Sequence, residues 1–336
     1  MLGRAMRGGY PRGQSRVVAS HRLATVRTAL PGPVRPDGDP APVAVVTGAN
    51  SGIGRATAVH LAALGFTVVA TVRSADKAGK LLSLAASRGV EVALEELDVA
   101  DDRSVAEGFA RIIGTFGGVD VLVNNAGIGG NGAVEESSPA QFHESFNVNA
   151  VGPVRCVAAA LPGMRERGCG AIVNVSSVVG RIGAVAQAPY VASKWAVEGI
   201  SEQLAHEVAP FGVRVAIVEP GITRSSIFAK NIEAPNATGA YDVHYRRMFA
   251  FYAAGIEGAT PAEDVAAVIA EAITTTEPRL RWVCSWGGPS IVDGRTSMTD
   301  EEWVALGIHD DDAGYAEEFA ARFGVDISAH LPPTDH

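Results

Sequence analysis

Residues 45–58 read VVTGANSGIGRATA, and this stretch decides the fold. A Val-rich run stops at Thr47, glycines follow at 48, 52 and 54, and apolar residues then recur at helical spacing from Ala56. A buried strand, a tight turn and a helix account for that order. Glycine at these places lets backbone N–H groups approach a pyrophosphate, and the helix N-terminus adds its dipole. Taken alone, a Gly-rich turn reads equally well as an ordinary strand-to-helix connection. Here it closes the first strand and opens the first helix, which is the context a dinucleotide site requires.

Outward from this unit the pattern repeats. The apolar runs VAVVTG, TVVATV, EVALEELDV, VDVLVNNAG, GAIVNVSS and VRVAIVEPG alternate with longer helical stretches. Near-continuous apolar strands separated by helices mean βαβ units and a buried parallel sheet. Right-handed crossovers then give a Rossmann-type, doubly wound α/β fold. It is expected as a single domain over 42–290, with a lid at about 222–259. After Gly221 the regularity fades until TPAEDVAAVIAEAI. There Thr260 is expected as the helix N-cap, with Pro261 at the first helical position. A last strand is expected in RLRWVCSW.

Composition bounds the rest. Of 336 residues, 47% are apolar and 19% charged, enough to bury a sizeable core. No apolar run reaches eighteen residues, so no membrane span is expected. Cys156, Cys169 and Cys284 have no metal-ligand spacing and are odd in number, which favours free thiols in a reducing compartment. A cytoplasmic location and no metal site are the expectation.

The charge is unevenly spread. Residues 1–40 carry seven arginines against two aspartates, so the remaining chain is more acidic than the overall net charge of −9. An acidic body argues against a nucleic-acid partner. Residues 1–41 read as a disordered tail, a mitochondrial targeting peptide or a start-site artefact. Residues 291–336 form an acidic extension with TDEE, HDDD and a helix-like DAGYAEEFAARFG. It would cover the pocket, cover a partner subunit or stay free.

The spacing in TGANSGIG resembles the glycine motif of the short-chain dehydrogenase/reductase family. The resemblance continues through NNAG at 124–127, NVSS before YVASK, and PG at 220–221, and covers about 42–290. ATVRS, the long stretch from PYVASKWA to VEPG, and RRMFAFY resemble the branch holding 17β-hydroxysteroid and retinol dehydrogenases. The family implies hydride transfer between NAD(P) and a CH–OH group, and the branch implies bulky apolar substrates.

The resemblance implies a proton-transfer set of Ser177, Tyr190, Lys194 and Asn149. Ser177 lies thirteen residues before Tyr190, the family's usual separation, and so is favoured over its neighbour Ser176. The chemistry of these residue types agrees. A phenol titrates near ~10, and a nearby ammonium stabilises the phenolate. Positions i and i+4 of a helix share a face, so Lys194 is expected to reach both Tyr190 and a ribose hydroxyl. Ser177 would bond the substrate oxygen and stabilise the charge that develops there. The Asn149 amide would hold a water for proton relay. Without Ser177, Lys194 and the glycine turn, Tyr190 would be an ordinary core tyrosine.

For the cofactor, Gly48, Asn50, Ser51, Gly52, Ile53 and Gly54 would wrap the pyrophosphate. An acid roughly twenty residues past the glycines would hold the 2′-hydroxyl of NAD. Val72 and Arg73 stand in that region, and Arg73 suits a 2′-phosphate. NADP(H) is therefore preferred, with NAD(H) the alternative. Asp98 and Val99 resemble adenine contacts, and Asn125, Ala126 and Gly127 would line the nicotinamide side. Pro220, Gly221, the Ile222 backbone and the Ser225 hydroxyl would meet the carboxamide. The lid carries Ile227, Phe228, Tyr241, Tyr245, Met248, Phe249, Phe251 and Tyr252, an apolar set suited to a hydrophobic alcohol or ketone. A homodimer or homotetramer through the long helices holding Asn149 and Lys194 is implied by the family. The rival class is a dinucleotide-binding regulatory protein of the same fold without chemistry. The intact Ser177, Tyr190 and Lys194 set speaks against it.

Overall fold

The structure is a computed structural model and describes residues 41–224, 234–277 and 279–331. The expectations for residues 1–40 and for Ser225, Ile227 and Phe228 lie outside the described residues. The Val-rich run forms β1 (Val43–Val46), and the glycine turn leads into α1 (Gly52–Ala63). The repeats continue as β2 (Thr67–Val72), α2 (Gly79–Ser87), β3 (Ala93–Glu96), α3 (Asp102–Phe116) and β4 (Val121–Asn124). Then come α4 (Pro139–Phe146), α5 (Gly152–Arg167), β5 (Gly170–Val175), α6 (Ala188–Val208) and β6 (Val213–Pro220). The C-terminal part adds α7 (Asp242–Glu257), α8 (Ala262–Thr274), β7 (Arg281–Cys284), α9 (Gly288–Ser297), α10 (Asp300–Leu306) and α11 (Asp312–Phe323).

The seven strands are all parallel, in the order β3-β2-β1-β4-β5-β6-β7. The chain first builds outward from β1 to β3, then crosses over to β4 beside β1. The order reverses there, and a crevice opens at the carboxyl ends of β1 and β4. Alternate strand residues feed opposite cores. Val46, Val123, Val173 and Val218 pack with Leu61, Leu81 and Ile269 from α1, α2 and α8. Val45, Leu122, Ile172 and Val215 pack with Phe109, Met164 and Leu204 from α3, α5 and α6. Both faces are covered, which is why β1, β4 and β5 are fully buried and apolar except for Asn124 and Asn174, whose amides pair with each other at 2.8 Å.

A third cluster joins α7 to the acidic extension. Ala250 and Ala254 meet Ile291, Tyr315, Phe323 and Ile327. The extension is thus folded against the lid helix as far as Leu331. Its helices start on strong caps. Thr299 accepts from the Glu302 N–H at 3.1 Å, while the Glu302 carboxylate accepts from the Thr299 N–H at 2.8 Å. Asp311 accepts from the Gly314 N–H at 2.6 Å to open α11.

One boundary departs from expectation. Pro261, not Thr260, is the N-cap of α8. The Thr260 hydroxyl accepts instead from the Trp286 N–H at 2.9 Å, and its backbone bridges Thr223. A tertiary partner from the last strand's turn outcompetes the local cap. Among the described residues, no helix is long and apolar enough to cross a membrane.

Candidate active site

A cavity of about 610 Å³ lies over the carboxyl ends of the strands. Its first wall is the glycine turn. Gly48 and Gly52 have φ of +64° and +52°, the left-handed region open mainly to glycine. A Cβ at Gly48 would lie 2.8 Å from the Ala126 Cα, and one at Gly54 would lie 2.6 Å from the Gly48 carbonyl oxygen. Asn50, Ser51, Gly52 and Ile53 line the cavity beside Gly48. Gly54 supports the turn from beneath. The turn is clamped from β4: Asn125 Nδ2 donates to the carbonyls of Thr47 at 2.9 Å and Gly48 at 3.3 Å. Asn125 therefore lines the wall while its amide holds the turn. Ala126 and Gly127 line the same wall.

At the far end Arg73, Ser74, Lys77, Asp98 and Val99 line the cavity together. Arg73 is exposed, and Lys77 stands one turn along the 3₁₀ segment Ala75–Ala78. The Asp98 carboxylate accepts from the Ala100 N–H at 2.9 Å, which fixes its loop. Two cations against one carboxylate suit an anionic group at this end.

Between these ends sit Ser177, Tyr190 and Lys194. Ser177 follows β5, and its hydroxyl donates to the Pro220 carbonyl at 3.4 Å. Ser176 also lines the cavity, but its hydroxyl is buried without a partner among the described residues and packs against Gly180, where a Cβ would sit 2.8 Å away. Tyr190 and Lys194 lie one turn apart on α6. Lys194 Nζ is 5.7 Å from the Tyr190 ring centroid and donates to the Val175 carbonyl at 2.8 Å.

Electrostatics modify the expectation of a lowered phenol pKa. Burial pushes Tyr190 up to about 12, and only the hydrogen bond with Ser177 pulls it back. Burial also pulls Lys194 down to about 8, opposed by the Glu198 carboxylate one turn along α6. The Lys194 ammonium donates to the Val175 carbonyl and lies over the Tyr190 ring.

Asn149 also departs from expectation. It lies in a π-helical turn, Asn147–Val151, between α4 and α5. Its Oδ1 accepts from the Ile128 N–H at 2.8 Å and its Nδ2 donates to the Ile128 carbonyl at 2.9 Å. Nδ2 also donates to Ser193 Oγ at 2.9 Å, and Ser193 donates to the Tyr190 carbonyl at 2.7 Å. The amide is thus spent on protein partners. Through Ser193 it buttresses α6 beneath Tyr190.

Pro220, Gly221 and Ile222 line the cavity. In the Ile222 backbone, expected to meet the carboxamide, the N–H donates to the Trp286 carbonyl at 3.1 Å. Gly221 is needed for that approach, since a Cβ there would lie 2.1 Å from the same oxygen.

Comparison with known proteins agrees with this geometry. Residues 42–236 match the family model described as short chain dehydrogenase. The chain belongs to the short-chain dehydrogenase family. It is 36% identical over 238 residues to the uncharacterized oxidoreductase YusZ of Bacillus subtilis, covering 69% of this chain and 84% of that protein. It is 39% identical over 251 residues to retinol dehydrogenase 8 of Bos taurus, covering 70% and 79%. It is 36% identical over 251 residues to 17-beta-hydroxysteroid dehydrogenase type 1 of Mus musculus, covering 71% and 72%. Among solved structures, a short-chain dehydrogenase from Streptomyces avermitilis superposes with a TM-score of 0.70 at 34% identity, covering 82% of this chain and all of that one. A metagenomic short-chain oxidoreductase in complex with NADP superposes with a TM-score of 0.58 at 30% identity, covering 71% and 95%. The chain is an oxidoreductase of this family, whose named relatives act on CH–OH groups.

Against the family frame, several wall residues were not legible beforehand. Ser74 and Lys77 follow Arg73 without any motif of their own. Arg247, Trp303, Tyr315, Phe319 and Ile327 close the cavity from α7 and the acidic extension. The T-x-x-E spacing of Thr299 and Glu302 is a capping signal that would have placed α10. No local signal says that α10 and α11 fold back over the pocket.

Proposed function

We propose that this short-chain dehydrogenase interconverts a bulky apolar alcohol and its carbonyl with NADP(H), using Tyr190 as the acid and base. The observation that carries the reading is the convergence of Ser177, Tyr190 and Lys194 on one cavity between the glycine turn and an apolar, aromatic chamber. The cofactor fits the residues present. The glycine turn leaves a cradle that a Cβ would fill, and Arg73 and Lys77 offer charge-assisted contacts to a 2′-phosphate. The NADP-bound relative supports the same choice. When bound, the nicotinamide supplies or takes up the hydride.

The chain's own groups handle the proton. A phenol near 12 is fully protonated at neutral pH and donates to an oxygen that gains charge as hydride arrives. The Ser177 hydroxyl orients that oxygen and stabilises its developing charge. Lys194 binds a ribose hydroxyl and, once turned from Val175, supplies a positive charge for the phenolate left behind. Asn149, through Ser193, holds the α6 backbone at Tyr190 in place. The retinol and hydroxysteroid relatives support a large apolar substrate, as do Met248, Phe251 and Tyr252 on the wall. Pairing of subunits through α5 and α6 is part of this reading. Val154 and Trp195 are 42% and 51% exposed there, and sedimentation of the full chain measures the state.

The test is a spectrophotometric screen at ~340 nm with NADPH and NADH against steroid, retinoid and aliphatic carbonyls, on wild type and Tyr190→Phe. NADPH-preferring turnover that falls at least ~100-fold in the variant, with cofactor affinity kept, is expected. Turnover in Tyr190→Phe equal to wild type would sink the mechanism.

A further inference from the structure

The chamber beyond Tyr190 is largely apolar and holds one charged side chain. Arg247 lies on α7, is 3% exposed, and lines the cavity among Met248, Phe251, Tyr315 and Phe319. The other cations on the wall belong to the cofactor end, Arg73 and Lys77, or to the reacting centre, Lys194. A fully buried guanidinium needs its donors met, because unmet charge in an apolar surround is costly.

Only part of that need is met by protein. Arg247 Nε donates to Asp312 Oδ1 at 2.9 Å, and Nη2 donates to the carbonyls of His309 at 2.9 Å and Asp311 at 3.1 Å. The Tyr315 ring stacks on the guanidinium, its centroid 4.2 Å from Cζ. These bonds leave Nη1 without a hydrogen-bond partner among the described residues. Nη1 is also not one of the fully enclosed orphan atoms. In a side chain this buried, the space left to Nη1 is the cavity that its residue lines.

The local charge balance leaves room for an anion. Asp312 is the carboxylate against Arg247, and it is shared with Arg246, whose Nε donates to Oδ2 at 2.5 Å. Two guanidiniums face one carboxylate. The stacked ring and the two carbonyls hold the guanidinium plane fixed, so a ligand meets a preorganised donor.

We infer that Arg247 anchors a carboxylate at the end of the substrate remote from the reacting oxygen. The substrate class is then a long apolar oxo acid or the corresponding hydroxy acid, a refinement that rests on the alcohol/carbonyl reading above. The span follows from α7. Tyr252, which lines the cavity with Tyr190, is five residues past Arg247, roughly 7.5 Å along the helix axis. With side-chain reach, the carboxylate and the carbonyl carbon are separated by on the order of 10 Å.

The experiment uses the full chain with NADPH and three matched ketones: 9-oxodecanoate, its methyl ester and 2-decanone. Wild type should show kcat/KM about tenfold or more higher for the acid than for 2-decanone, carried mainly in KM, with the ester close to 2-decanone. In Arg247→Met that ratio should fall to about one. Asp312→Asn loosens the same contacts but keeps the guanidinium, so its preference for the acid should survive. That outcome separates anchoring from a purely structural role of Arg247. No preference in wild type, equal rates for acid and ester, or an unchanged ratio in Arg247→Met each overturn the anchor. If none of the three ketones oxidises NADPH, the wider carbonyl panel above decides the carbonyl-reduction reading, and calorimetry with decanoate and decanol decides the anchor separately. Tighter decanoate binding in wild type but not in Arg247→Met supports it, and equal affinities in wild type overturn it.

Discussion

Phe323→Ala tests whether the acidic extension is a working roof. Phe323 is 0% exposed. Its ring centroid lies 4.7 Å from that of Phe319 and 6.3 Å from that of Trp303, both cavity-lining residues. α9 approaches so closely that a Cβ at Gly294 would lie 2.6 Å from the Phe323 ring. Truncating a fully buried Phe costs about 3–5 kcal/mol, the transfer loss plus the cavity left behind. The two clusters that hold the sheet do not include Phe323. The loss should therefore fall on the contact between α7 and α9–α11. Every ~1.4 kcal/mol is tenfold in population, so the open roof gains on the order of a hundredfold or more. Hydrogen exchange should accelerate in α9, α10 and α11 while β1, β4 and β5 keep their protection. KM for an apolar ketone should rise several-fold. NADPH affinity should stay within about twofold, because Arg73 and the glycine turn lie at the other end of the cavity. Uniform loss of protection across the whole chain, or an unchanged KM, would refute a separable roof.

Further outcomes follow from the sites themselves. Gly54→Ala places a Cβ 2.3 Å from Asn125 Nδ2 and 2.6 Å from the Gly48 oxygen, so the clamp must break. Overpacking and lost hydrogen bonds together cost roughly 2–4 kcal/mol in urea unfolding, with NADPH affinity weakened at least tenfold. Equal affinity in the variant would contradict the cradle. Glu219 is 0% exposed, and burial and then the Glu198 charge push it up to about 7. A raised carboxylate pKa means that the folded state binds the proton more tightly. Its contribution is full below the unfolded value near ~4.5 and is lost as pH rises through about 7. Wild type should then lose up to roughly 3 kcal/mol between pH ~5 and ~8 that Glu219→Gln does not lose. Identical slopes of urea midpoint against pH in the two proteins would dismiss this assignment.

Much of the site was legible from residues near one another in sequence. The turn at 48–54 needs glycine because backbone must pass within contact of β4, and that demand is written in the residue type. The thirteen-residue interval from Ser177 to Tyr190 and the one-turn interval to Lys194 survive as spacing because a strand end and a helix face fix them. The alternation of apolar runs and helices implied the parallel sheet, since strands buried on both faces are apolar along most of their length. Other features depended on partners far along the chain. Asn125 and Asn149 looked like ligand-facing amides, yet tertiary neighbours at Thr47, Gly48 and Ile128 claim them. Thr260 had every local sign of a cap, and Trp286 took its hydroxyl. The roof is the clearest case. Tyr315, Phe319 and Phe323 form one side of an amphipathic helix that could pack anywhere, and its sequence left the pocket, a partner subunit and a free tail equally open. Only packing against Ala250 and Ala254 sets them over the cavity, and only that closure turns Arg247 from a surface charge into a buried one. Periodicity and fixed offsets are local and can be read in order. The partner of an apolar face is chosen by which distant surface it buries, a choice that exists only once the chain has folded.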